Sequence, residues 1–77
     1  MRYFFDIGSD RLETLDEEGC ELDSEAQMQI EARRVLTQVA DDEARFTARS
    51  VLMARVRDSY GTPVYRVTLT LEGQRLQ

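Results

Sequence analysis

Residues 24–46 read SEAQMQIEARRVLTQVADDEARF, and their periodicity decides the fold. At about 100° per residue, Met28, Ala32, Val35, Leu36, Val39 and Phe46 fall on one arc, while Gln27, Glu31, Arg34, Gln38, Asp41, Asp42 and Arg45 fall opposite. Ala26, Ile30, Ala40 and Ala44 form a narrower streak of mostly small residues beside the main arc. The pattern predicts one amphipathic helix. Its start is marked by Asp23 or Ser24, either of which can accept a hydrogen bond from an orphan amide, and Ser24 with Gln27 has capping-box spacing. Glu25 in the first turn suits the positive end of the helix dipole.

On either side of the helix the period changes from 3.6 to 2. Arg2 to Ile7 alternates Tyr3, Phe5 and Ile7 with Arg2, Phe4 and Asp6, as a half-buried strand does. Gly8-Ser9-Asp10 has a turn composition, Arg11 to Leu15 can return as a short second strand, and Asp16-Glu17-Glu18-Gly19 breaks the chain. After the helix, Val51 to Arg57 and Val64 to Leu71 read as a hairpin joined by Asp58-Ser59-Tyr60-Gly61-Thr62-Pro63. Alternation assigns Leu52, Ala54 and Val56, then Tyr65, Val67, Leu69 and Leu71, to the core face.

The expected architecture is therefore α+β: a single domain over residues 1–77, ββαββ in order, with one helix on one face of an antiparallel four-stranded sheet. One helix covers one face. The side bearing Arg2, Phe4, Arg55, Arg57, Arg66, Thr68 and Thr70 should meet solvent or a partner. A helix from Ser24 to Phe46 would be about 35 Å long against roughly 26 Å for an eight-residue strand. Unless it stops near Ala40, its last turns with Ala44 and Phe46 need another surface, which favours a homodimer.

Composition excludes much chemistry. The 77 residues include no histidine, and all ten basic residues are arginine. Imidazole catalysis, Cys-His and Ser-His pairs, lysine nucleophiles and the usual structural zinc sites are all out of reach. One cysteine allows no internal disulfide. The start, Met1 to Asp6, lacks the apolar run of a secretory signal, and no stretch approaches a membrane span, so the expected location is the cytoplasm. The net charge of −5 is graded along the chain: residues 1–25 hold nine acids and two arginines, 26–50 four of each, and 51–77 two acids and four arginines.

Three clusters are candidates for chemistry. Asp16, Glu17, Glu18 and Glu21 around Gly19 could converge on a hard cation, but they lack the alternate spacing of a calcium loop and read as a solvated turn. Cys20 lies beside acids, which raise a thiol's pKa, and reads as a small packed residue. The arginine side of the sheet is the sharpest candidate: Arg55, Arg57 and Arg66 with Phe4 could grip phosphates and stack a base. Tyr60 in the hairpin loop and Phe46 at the helix end complete the candidate interaction surface. No catalytic, cofactor-binding or metal-ligating residue is assigned.

Arg2-Tyr3-Phe4-Phe5-Asp6, Asp16-Glu17-Glu18-Gly19-Cys20-Glu21-Leu22, Glu31-Ala32, Val56-Arg57-Asp58 and Gly61-Thr62-Pro63-Val64, in this order and spacing, resemble a family of short proteins of unknown function from rhizobia and related alphaproteobacteria. The resemblance covers nearly the whole chain and implies a bacterial cytoplasmic protein of one domain. Similar proteins carry histidine where Asp6 stands, which implies that no particular side chain is required there. The functional expectation is a small non-enzymatic interaction or regulatory module that self-associates. The alternative is a nucleic-acid-associated regulator acting through the arginine face.

Overall fold

The computed structural model describes residues 1–9, 12–45 and 48–77. Its elements are β1 (Arg2–Ser9), β2 (Glu13–Thr14), β3 (Cys20–Glu21), α1 (Glu25–Glu43), β4 (Arg49–Arg57) and β5 (Pro63–Glu72). The sheet runs β2-β1-β4-β5, and β3 pairs with β1 outside that path. All pairings are antiparallel. The α+β class and the helix on an open antiparallel sheet hold, with five strands among the described residues where four are expected. The extra strand is the two-residue β3, too short to carry a period in sequence.

The helix lays Met28, Ala32, Leu36 and Ala40, all buried, along the sheet. This i, i+4 row is narrower than the expected arc: Val35 and Val39 are half-buried, and Ala40 joins the core from the small-residue streak while Ile30 stays outside. Beneath the row lie Phe5 and Val56 at one end, and Leu52 and Ala54 at the other. Alternation along β4 explains this, since Leu52, Ala54 and Val56 have no exposed surface and their neighbours face away. Burying a side chain such as Leu36 or Leu52 contributes about 1.5–3 kcal/mol. The Ser24 hydroxyl accepts the Gln27 amide (3.1 Å), and the Gln27 side chain accepts the Asp23 amide (3.0 Å), so Ser24 is the N-cap.

Two boundaries differ from expectation. The helix ends at Glu43, where the Ala44 amide closes on the Ala40 carbonyl (2.9 Å). Asp41, Asp42 and Glu43 sit at the negative end of the dipole and weaken any further turn. Nineteen helical residues span about 28 Å, no more than the nine- and ten-residue strands β4 and β5. The helix does not overhang its sheet, and that reason for a dimer falls away; Phe46 lies outside the described residues. The second strand is Glu13–Thr14 rather than Arg11 to Leu15, with Leu12 and Leu15 exposed. Arg11 lies outside the described residues.

Candidate functional site

The outer edge of β1 is covered twice. β2 pairs at Ile7 and Gly8, β3 at Arg2 and Tyr3, and Phe5 lies in the gap. A backbone amide left in such a gap needs a partner. Asp16 supplies it: one carboxylate oxygen accepts the Phe5 amide (3.0 Å), and the other accepts the amides of Glu18 (3.1 Å) and Gly19 (3.0 Å). The chain can turn there because Gly19 adopts φ +74°; a Cβ at this position would lie 2.9 Å from the Phe4 ring, the Arg2 side chain and the Tyr3 carbonyl. The Arg2 guanidinium also donates to the Glu18 carbonyl (2.8 Å). The acidic run is thus a strap that closes the sheet edge, and Asp16 spends its carboxylate on backbone amides. Among the described residues, no group of three or more acids or cysteines could hold a metal ion.

The strap is tied to the sheet by Asp6, which is 4% exposed although it belongs to the uncovered face. One Asp6 oxygen accepts the Asp16 amide (3.0 Å) and Arg57 Nη2 (3.0 Å), and the other accepts Arg57 Nε (2.7 Å). Arg57 Nη2 reaches on to the Asp16 carbonyl (2.9 Å), and the guanidinium carbon stands 5.0 Å from the centre of the Phe4 ring. Two-point contact and a ring face suit arginine and would not suit lysine. The hydrogen bonds from Arg57 hold the Asp6 carboxyl below its ordinary value against the opposing effect of burial. For Asp16 burial is the largest influence and pushes upward, but the amides of Phe5, Gly19 and Glu18 together outweigh it and lower its pKa. The position at which the resemblance implies no required side chain is therefore the hub of this chain's network. The sequence offers one signal: an aspartate between Phe5 and Ile7 in mid-strand, where aspartate is disfavoured.

Beside this network the uncovered sheet face carries a groove of ≈ 470 Å³, floored by Gly8, Val51 and Met53 and flanked by Arg55, Arg66 and Thr68. The structure brings Phe4 and Arg57 together as an internal pair and leaves Arg55 and Arg66, directly opposite one another across β4 and β5, exposed on the face. Tyr60 is 85% exposed at the hairpin tip, where the Asp58 carboxylate accepts the Tyr60 and Thr62 amides (2.9 and 3.0 Å). Cys20 is half-buried and packs against the cluster of Phe5, Met28, Ala32 and Val56.

Residues 2–70 match the domain of unknown function DUF6894, and the chain belongs to that family. No curated protein and no solved structure matches it. Among the described residues, no helix is long and apolar enough to cross a membrane.

Proposed function

We propose that this chain is a non-catalytic interaction module of the bacterial cytoplasm, in the alphaproteobacterial setting its sequence resembles, and that its partner is a second copy of itself. Its surface carries the reading. The accessible area is 5631 Å², against about 4,800 Å² for a compact monomer of 8.9 kDa. The bare sheet face and the exposed residues after Glu72 both add to the accessible area. A standard interface removes about 800 Å² per partner, the same order as the surplus.

The acids support the non-catalytic part of the reading. A general acid at neutral pH needs a raised carboxyl pKa. Asp6 and Asp16 move the other way, and both spend their oxygens on internal donors. Sedimentation equilibrium at micromolar concentration tests self-association: a dimer is expected, and a single species of 8.9 kDa would overturn it.

A second reading has one observation in its favour. Arg55 and Arg66 face each other in register, and like charges directly opposite destabilise a sheet unless an anion lies between them. A phosphate of a nucleic acid would serve. Because Arg57 and Phe4 are engaged with the strap, this rival rests on two arginines in a domain of net charge −5. A gel shift with mixed RNA and DNA at low salt decides it, since binding should weaken steeply as salt rises.

A further inference from the structure

Among the described residues, β5 is the outermost strand of the sheet, ten residues long, with β4 on one side only. Long uncovered edges invite pairing, and natural sheets blunt them with prolines, lysines, bulges or covering segments. The two edges of this sheet are treated differently. The β1 side is closed by two two-residue strands and the Asp16 strap, whereas β5 has its proline and a register shift only at its start and runs on in regular register as Tyr65-Arg66-Val67-Thr68-Leu69-Thr70-Leu71-Glu72.

The outward backbone groups follow from the ladder. The Gly73 amide donates to the Ala48 carbonyl (2.7 Å), which makes that pair a hydrogen-bonded one. Alternation from there turns the amides and carbonyls of residues 71, 69, 67 and 65 toward β4 and those of residues 72, 70, 68 and 66 outward. The same even-numbered residues place their side chains on the uncovered face, and the odd-numbered ones on the helix side.

We propose that β5 pairs antiparallel with β5 of a second copy, in the register centred on Leu69 that sets Arg66 against Glu72 of the second copy. This rests on the self-association reading and places the contact at the edge of the sheet, leaving the bare face itself open. In this register the outward amides and carbonyls of Arg66, Thr68, Thr70 and Glu72 find one another across the twofold axis. Thr68 faces Thr70 on the open side; on the helix side Leu69 meets its own copy and Val67 meets Leu71, which is 40% exposed in the single chain.

Charge selects the register. Asp6, Arg55 and Arg66 stand in one row across the open face, with two positive charges adjacent and the second at the edge. The partner strand places Glu72 beside that second arginine, and Arg49, which faces Glu72 within the chain, continues the alternation. Pairing stops at two copies because the strapped edge of β1 offers no second long strand.

The test is a charge exchange read by sedimentation equilibrium. The wild type should be a dimer. Arg66→Glu should weaken association at least about tenfold, because two attractive pairs become repulsive. The same substitution places a carboxylate opposite Arg55, so at concentrations low enough for both chains to be monomeric the variant should be no less stable to urea than wild type, which separates lost association from misfolding. Adding Glu72→Arg should restore the dimer. Thr68→Pro, which removes an outward donor and no ladder bond, should abolish it while circular dichroism stays unchanged. A wild-type dimer indifferent to Arg66→Glu and Thr68→Pro would overturn the β5 pairing and leave self-association standing; a wild-type monomer would overturn both.

Discussion

Asp6 accepts three hydrogen bonds from two donors that lie on either side of the helix in sequence, the Asp16 amide and the Arg57 guanidinium. Asp6→Asn keeps the volume but turns one acceptor into a donor facing Arg57, and should cost about 2 kcal/mol in urea unfolding. Unchanged stability would show that the network is ornamental. The pH dependence follows from the same groups. The pKa values of Asp6 and Asp16 are lowered in the folded chain, Asp6 chiefly by Arg57 and Asp16 by the amides it accepts, so the unfolded chain binds protons first as pH falls. Their contribution is complete above the unfolded value of about 4 and is lost as pH drops through the folded ones. With no histidine, stability should be flat between about pH 5 and 7 and fall below about pH 4, less steeply in Asp6→Asn. Thermal unfolding across that range would check both parts.

At the scale of elements, the strap from Asp16 to Glu21 replaces an ordinary edge strand. Its tightest point is Gly19, where a left-handed φ of +74° coincides with three neighbours within 2.9 Å of a Cβ. Gly61 shares the backbone conformation, φ +84°, but a Cβ there meets nothing. Gly61→Ala should therefore cost only the conformational penalty of about 1–2 kcal/mol, and Gly19→Ala distinctly more. Equal midpoints for the two variants in urea would contradict the crowding. The helix, its cap and the closing hairpin were legible in the sequence because each repeats a period or places a cap at fixed spacing. The strap was not. β3 spans two residues, too few for a period, and the Asp6–Arg57 pair joins positions 51 apart whose meeting depends on β1 lying beside β4.

As a whole the molecule is elongated. Its extents are 50 × 22 × 16 Å and its radius of gyration is 13.7 Å, larger than the roughly 11–12 Å of a compact chain of this length. Chains this small draw little surplus stability from their own core, and association is one remedy. If the folded state is a dimer, mass action ties its unfolding to concentration. A hundredfold increase should raise the thermal midpoint by roughly 5–10 °C. Calorimetry at two concentrations measures this directly, and coincident midpoints would argue for a monomer. The candidate surface was only partly legible. Alternation placed Phe4, Arg55, Arg57 and Arg66 on one face, yet which arginines stay available was set by Asp6.

Residue types and their spacing were enough for the α+β class, the helix and most of its buried stripe, the core face of β4 and β5, and the absence of imidazole and lysine chemistry. Those properties are local: they follow from residue type and from periods of 3.6 and 2. The order β2-β1-β4-β5, the strap that seals the β1 edge, and the burial of Asp6 under Arg57 arise only from the packed chain. These depend on which distant segments lie side by side, and a pairing register assigns a partner to each charge and amide that no local pattern encodes.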